Sequence, residues 1–340
     1  MYLVLQEVNL FELENRRYIG SKAELADWIL NIIQEQCVGE IFVDIFAGTA
    51  IMGKKASQIY KQIILNDFLF SNNIIYKAFF EDLKWDRKKI QDYISYWNNI
   101  DKTEIKENYF SKNYGGKFFH HTDSKIIGAI REDLEQNDIF NTKEKNILIA
   151  SLIYSIDKIA NTVGHYEAFF QNKNIEERFL YKQINPTEIK NVKIFQQDAN
   201  ILARNLNSDI VYIDPPYNSR QYSRFYHLLE NLVKWEKPKL EGIALKPPVE
   251  NMSEYCRSNA PHIFADLIDN LQCKFIAVSY NNTYNSKSSS SKNKISLEQI
   301  EEILNKKGVT KRYERSYKYF NSGKTDFKDH KEILFITRVG

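Results

Sequence analysis

The chain has 340 residues, 43% of them apolar and 14% aromatic, so it can bury a full core and has room for two domains. Its formal charge is only +3, which confines any polyanion-binding surface to a local patch. Three cysteines without a CxxC pair (Cys37, Cys256, Cys273) argue against a disulfide framework or a zinc site and fit a reducing cytosol, no apolar run reaches the roughly 18 residues of a membrane helix, and the N-terminus does not read as a signal peptide.

In chain order, Leu25, Trp28, Ile29, Ile32 and Ile33 recur at helical spacing and predict a helix from about Lys22 to Gln36. Gly20 and Ser21 stand at its entry, where free backbone N–H groups favour anions, and Lys22 adds a cation. The entry reads either as a carboxylate-binding helix start or as an ordinary cap with a solvated lysine. Next, Ile41-Phe-Val-Asp-Ile-Phe predicts a buried strand over 41–46, then a tight turn at Ala47-Gly48-Thr49 and a helix to about Tyr60. Strand, small-residue turn and helix form the usual first unit of a nucleotide-binding sheet. Gly48 lets a ligand approach the backbone, and Asp44 at the strand end is a plausible acceptor for a ligand ammonium. With one Gly the turn matches a diphosphate fingerprint poorly. A second strand over 62–67 ends in Asp67, about twenty residues after the turn, where an acidic group commonly binds ribose hydroxyls.

After a helix over about 70–83 the character changes. Residues 84–190 show no strand–helix alternation and are rich in Asn, Lys and aromatics, with Ile90, Tyr93 and Trp97 at helical spacing and a buried helix over 143–160. Within 106–125, Lys106, Lys112, Lys117 and Lys125 interleave with Tyr109, Phe110, Tyr114, Phe118, Phe119, His120 and His121. That mixture suits phosphate contact with base stacking, and it suits equally an aromatic-rich loop packed on a small core. His165 reads as a hydrogen-bonded structural residue.

The α/β pattern resumes with a strand over 192–198 ending in Asp198, a short helix, and the strand Ile210–Ile213. An amphipathic helix over 222–235 follows, then a loop at Lys246-Pro-Pro, a helix over 261–271, a strand over 274–280, a polar Ser-rich stretch over 281–294, a helix over 297–306 and strands near 309–318 and 331–338. Residues 287–330 hold 11 Lys/Arg against 6 Asp/Glu, a local charge of +5 that suits a polyphosphate backbone; Lys287, Lys292 and Lys294 are its first cations.

The stretch around which these elements are organised is Asp214-Pro215-Pro216-Tyr217. It closes a short apolar, β-branched run, and neither proline can donate to a sheet ladder, so the result is a stiff loop at the carboxyl end of a strand, where open α/β sheets bind ligands. The chemistry it suits is attack by a planar, weakly nucleophilic amine. A carboxylate and a backbone carbonyl accept the amine's two hydrogens, and a Tyr ring stacks on its base at about 1–3 kcal/mol. A proline-rich turn with a capping Asp is the bland alternative.

Asp214-Pro-Pro-Tyr217, Asp44-Ile-Phe-Ala-Gly48 and Tyr18-Ile-Gly-Ser-Lys22, in that arrangement along the chain, resemble the D12-type (α-group) adenine-N6 DNA methyltransferases, among them the Dam-like and FokI-like modification enzymes. The resemblance covers about 11–83 and 191–340 and is loose over 84–190. It implies a Rossmann-like α/β fold, a doubly wound, mostly parallel sheet that binds S-adenosylmethionine, with 1–83 and 191–340 catalytic and 84–190 an inserted target-recognition domain. Carried over by position, Tyr18 and Lys22 line the methionine side of the cofactor, Asp44, Phe46, Gly48 and Thr49 form the cofactor loop, Asp67 binds the ribose, and Asp198 lies near the adenine or cofactor. Asp214, Pro215, Pro216 and Tyr217 hold the target amine and base. Ala50 stands where the family usually has a second Gly. The same resemblance implies double-stranded DNA with base flipping, a cognate restriction endonuclease as partner, no metal, no membrane, and a cytoplasmic monomer. Similar loops act on cytosine N4, RNA adenine and a protein glutamine amide; the acidic first residue and the chain order favour adenine in DNA. A catalytically silent DNA-binding subunit is the reading from another class, and cofactor titration separates the two.

Overall fold

The computed structural model describes residues 10–171, 173–283, 293–316 and 330–340. Its first elements are α1 (Ala26–Gln36), β1 (Ile41–Asp44), α2 (Ile51–Ala56), β2 (Gln62–Asn66), α3 (Phe70–Phe80), α4 (Arg87–Asn99), α5 (Tyr109–Tyr114), α6 (His121–Gln136) and α7 (Thr142–Ile159). There follow β3 (Val192–Phe195), α8 (Ala199–Ala203), β4 (Ile210–Ile213), α9 (Tyr222–Phe225), α10 (His227–Lys234), α11 (Ala260–Asn270), β5 (Phe275–Asn281), α12 (Leu297–Lys307), β6 (Gly308–Ser316) and β7 (Lys331–Val339).

Two compact units share these elements. The sheet unit comprises residues 21–69, 190–225 and 249–340, and the helical unit comprises 10–20, 70–189 and 226–248. The division expected at 84 therefore falls at 70, and 226–248, read as part of the catalytic half, belongs to the helical unit. The amphipathic run over 222–235 concealed this second crossing. It reads as one helix, but Tyr226 leaves helical geometry (φ −110°, ψ 21°), and the chain passes from one unit to the other there.

The sheet unit carries the doubly wound sheet, in the order β3-β2-β1-β4-β5-β7-β6. β3, β2, β1, β4 and β5 run parallel, while β7 pairs antiparallel with both β5 and β6. The β-branched runs of β1 and β4 are buried on both sides, as parallel strands under helices must be. On one face Val43, Ile45, Ile64, Val211, Ile213, Ile276 and Val278 pack with Ala199 and Leu202 of α8, Phe264, Leu267 and Ile268 of α11, and Ile300 and Leu304 of α12. Each large side chain buried there contributes about 1.5–3 kcal/mol. On the other face α2 lies so close to β2 that a Cβ on Gly53 would stand 2.2 Å from Leu65 Cδ2. Gly53→Ala should therefore lower stability by about 1–3 kcal/mol through overpacking. A thermal melt at or above that of the parent would show that α2 can back away.

Several elements are shorter than their sequence patterns. α1 begins at Ala26 rather than Lys22, because Gly20 takes a left-handed φ of 81° and residues 22–25 form a turn (Leu25 N–H to Lys22 O, 2.9 Å). The anion-favouring helix start expected at Gly20-Ser21 is thus absent. α2 ends at Ala56 and α3 at Phe80, short of the expected Tyr60 and residue 83.

The helical unit is built on α3–α7 and α10, with α3 against α7, α5 against α6, and α10 against α3. Of the aromatics of 106–125, Phe110, Tyr114, Phe118 and Phe119 are fully buried and pack on one another, whereas Tyr109 and His120 are half-buried and His121 is exposed. Those four rings cannot stack on bases, so for them the core reading replaces the base-stacking one. His165 accepts from the Glu167 backbone N–H (3.2 Å), a local turn bond. Lys287 and Lys292 lie outside the described residues. No helix among the described residues is long and apolar enough to cross a membrane.

Candidate active site

The parallel ladder brings Asp44, Asp67 and Asp214 to one rim of the sheet, at the carboxyl ends of β1, β2 and β4. Because β7 runs antiparallel, its first residues reach the same rim, with Glu332 paired to Asn281 at the end of β5.

Asp214 leaves β4 into the double-proline loop, 15% exposed. Tyr217 turns back and donates its hydroxyl to Asp214 Oδ1. Lys22 Nζ donates to the Tyr217 hydroxyl (2.5 Å) and lies 3.2 Å from Asp214 Oδ1 and 3.0 Å from Glu332 Oε1. An ammonium has three hydrogens, and these three acceptors match them. The Tyr217 ring packs edge-on against Tyr280 (4.7 Å, 80°), and its carbonyl accepts from the Lys294 backbone N–H (2.8 Å). The loop is therefore held by the Lys22 and Tyr280 side chains and by the Lys294 backbone, three segments distant in sequence, with Glu332 behind Lys22. Burial pushes the Asp214 carboxyl up to about 6, against the pull of Lys22 and with a further push from Glu332. Burial alone would lower Lys22, but Asp214 and then Glu332 outweigh it and raise it.

Asp44 is 1% exposed, and neither carboxylate oxygen has a partner at hydrogen-bond distance. Burial holds it well above the usual carboxylate range, with Asp214 and Asp67 adding to the shift; the Gly53 N–H facing it offsets this only in part. The turn after β1 is tied down from the neighbouring strands. Asp67 Oδ2 accepts from Gly48 N–H (2.9 Å) and its Oδ1 from Leu69 N–H (2.9 Å). Asn66, unremarked in the sequence, donates to the carbonyls of Ile45 (3.1 Å) and Gln197 (3.0 Å) and so ties together the ends of β1, β2 and β3. Gly48 has φ 52° and Ala50 φ 58°. Left-handed backbone favours Gly at both places, so Ala50 is strained there. Phe46 stands edge-on to Tyr255 (5.1 Å, 80°), and Thr49 is buried. Asp198 caps α8, accepting from Asn200 N–H (2.9 Å) and Ile201 N–H (3.2 Å) through one oxygen.

Of the residues singled out in the sequence, Lys22, Asp44, Phe46, Gly48, Thr49, Asp67, Asp198, Asp214, Pro215, Pro216 and Tyr217 belong to the sheet unit. Tyr18 belongs to the helical unit, where it stacks on Tyr226 (4.9 Å, 5°) beneath the Arg16 guanidinium (5.0 Å). Glu332 was missed. Its only signal in the sequence is an acidic residue at the head of a strand otherwise read as buried, Glu332-Ile-Leu-Phe-Ile.

Comparison with known proteins adds independent findings. The profile of the D12 class N6 adenine-specific DNA methyltransferase family matches residues 18–303. The type II methyltransferase M.NlaIII of Neisseria lactamica is 27% identical over 92% of this chain and 95% of its own length. The type II methyltransferase M.FokI of Planomicrobium okeanokoites is 32% identical over 94% of this chain, and the modification methylase StsI of Streptococcus sanguinis is 32% identical over 78% of it. This chain spans 52% of the length of M.FokI and 44% of that of StsI. With the double-proline loop at the end of β4, the turn after β1 and this match over most of the sequence, the chain belongs to the D12 class of N6 adenine-specific DNA methyltransferases.

Proposed function

We propose that the chain takes its methyl group from S-adenosylmethionine, holds the target adenine amine with Asp214, Pro215, Pro216 and Tyr217, and serves in the cytoplasm as the modification component of a restriction–modification system. The observation that carries the cofactor reading is the unpaired, buried Asp44 carboxylate beside the Gly48 turn. A buried anion without a partner is costly and calls for a cation or a proton, and the cofactor is cationic at its sulfonium and at its amino group. Gly48 permits close approach, and Asp67 sets a carboxylate, the acceptor a ribose hydroxyl needs, beside that turn. The names of M.FokI and StsI, a type II and a modification enzyme, support the restriction–modification role.

When bound, S-adenosylmethionine supplies a methyl already activated on sulfur. The chain's task is then orientation and charge stabilisation. The target base leaves the duplex, since its amine is otherwise paired. Asp214 and the Pro215 carbonyl accept the amine hydrogens, and Tyr217 contacts the base. The helical unit selects the DNA sequence. The direct test incubates the protein with unmethylated DNA and S-adenosylmethionine, then assays digested nucleosides for N6-methyladenine by mass spectrometry. Methyl on cytosine, or none with active cofactor binding, would sink the reading.

Asp44 gives a second test with a definite sign. Its folded-state carboxyl titrates above the unfolded one, so the unfolded chain releases the proton first as pH rises. Asp44 therefore costs stability from about pH 4 upward. Asp44→Asn should melt higher than the parent at pH 7–8, with the gain fading toward pH 4, while binding S-adenosylmethionine about 10–100-fold more weakly. Unchanged cofactor affinity in a calorimetric titration would remove Asp44 from the site.

A further inference from the structure

We infer that Glu332 is a positioning residue of the transfer reaction: its carboxylate shares the Lys22 ammonium with Asp214, so that Lys22 does not close on Asp214 alone and Asp214 remains able to receive the target amine. The inference rests on the functional reading above and extends it to a strand that carries no recognised motif.

The geometry is specific. Glu332 is 2% exposed at the start of β7, on the rim that carries Asp214. Ser279 Oγ donates to Glu332 Oε1 (2.6 Å) and fixes its direction, and Lys22 Nζ lies 3.0 Å from the same oxygen against 3.2 Å from Asp214 Oδ1. A buried carboxylate is costly unless it serves a charge partner. With one lysine between two carboxylates, Asp214 is half-neutralised rather than fully paired. A fully paired Asp214 would have to break a buried ion pair before accepting the amine.

The consequence concerns the proton as well as the approach. The nitrogen lone pair forms the new C–N bond, and the electrons of the old methyl–sulfur bond leave with sulfur. The amine is then cationic and must lose one proton. Asp214 is the carboxylate beside it, takes that proton, and returns it to water after product leaves. Its basicity is set by the groups facing it: Lys22, Glu332, Tyr217, Asp44 and Tyr212. Glu332 works against Lys22 in that set.

The test is the acid limb of kcat/KM against pH, measured with saturating S-adenosylmethionine and cognate DNA. Glu332→Gln keeps the shape and the Ser279 contact but removes the charge. Asp214 then loses a repelling neighbour and gains more of Lys22, so the limb should move to lower pH by about one unit and turnover should fall about 10–100-fold. Lys22→Gln should move the limb the other way. Cofactor affinity of Glu332→Gln should stay within a few-fold, and a circular dichroism spectrum checks folding. A limb that stays in place or rises in Glu332→Gln overturns the inference, as does one that falls in Lys22→Gln. Should Glu332→Gln not fold, Ser279→Ala leaves every charge and frees only the direction of Glu332; the limb then drops by a fraction of a unit and turnover falls several-fold, and wild-type behaviour overturns the inference. If the parent itself transfers no methyl to adenine in DNA, the underlying functional reading has failed instead.

Discussion

Asp214→Ala should reduce methyl transfer at least about a thousandfold while leaving S-adenosylmethionine affinity within a few-fold. In the proposed reaction the carboxylate accepts an amine hydrogen in the ground state and holds the charge that develops on nitrogen as the bond forms. A preorganised group aimed at developing charge is worth about 10²–10³ in rate, and loss of orientation adds to that. The variant should fold, because Lys22 keeps Glu332 and the Tyr217 hydroxyl as partners and no buried cation is orphaned. Nor should it melt lower at pH 7–8. The Asp214 carboxyl is pushed up to about 6 by burial, so ionising it in the folded state costs stability between about pH 4 and 6. Single-turnover kinetics beside calorimetric cofactor binding separate the two effects. Asp214→Ala turning over at a tenth of the parent rate or better would show that the amine is held elsewhere.

The parts of this site that were legible in the sequence are those whose backbone carries a local signal. Asp44 and Asp214 end buried β-branched strands, and the double proline forces the chain out of the sheet at a defined place. Gly48 was legible because only a small residue suits a turn at φ 52°. What was not legible depends on neighbours distant in the chain. That Asp67 holds the Gly48 turn, that Asn66 ties three strand ends together, and that Glu332 reaches Lys22 follow from strand order and from the reversed direction of β7. The aromatic run of 106–125 misled for a different reason. Alternation of Lys with Phe and Tyr is the pattern of an amphipathic surface, and it is also the pattern of a segment that buries one face, as Phe110 of α5 and Phe118 of the turn after it do. Composition cannot separate the two, because both present cations to water and rings to something apolar.

The division into units changes what an exchange of specificity must carry, and the expected effect is large. Moving 84–190 alone from a relative into this chain should give a protein that fails to fold. Moving 1–20, 70–189 and 226–248 together should give one that transfers methyl within about tenfold of the parent but at the donor's sequence. The shorter graft cuts the helical unit through its own core. Arg131, buried in α6, donates to the carbonyls of Leu232 (2.8 Å) and Val233 (3.0 Å) at the end of α10. Asn231 donates to the hydroxyls of Tyr114 (2.8 Å) and Tyr109 (3.0 Å), and Tyr154 donates to the Leu13 carbonyl (2.9 Å). Phe11 joins the unit through a backbone bond to the Gln183 carbonyl (2.9 Å). Each mismatch at a buried polar contact of this kind costs about 1–3 kcal/mol, more where the group is charged, and several together exceed the 5–15 kcal/mol by which folded proteins are ordinarily stable. The larger graft keeps those contacts inside the transferred piece and leaves Lys22, Asp44, Asp67, Asp214, Tyr217 and Glu332 untouched in the sheet unit. Thermal melts of the two chimeras, followed by sequencing of methylated adenines in DNA from cells expressing each, decide the matter. A short-graft chimera as stable as its parents would show that the two-unit division is not energetic. An active whole-unit chimera that still methylates the parent sequence would place recognition in the sheet unit.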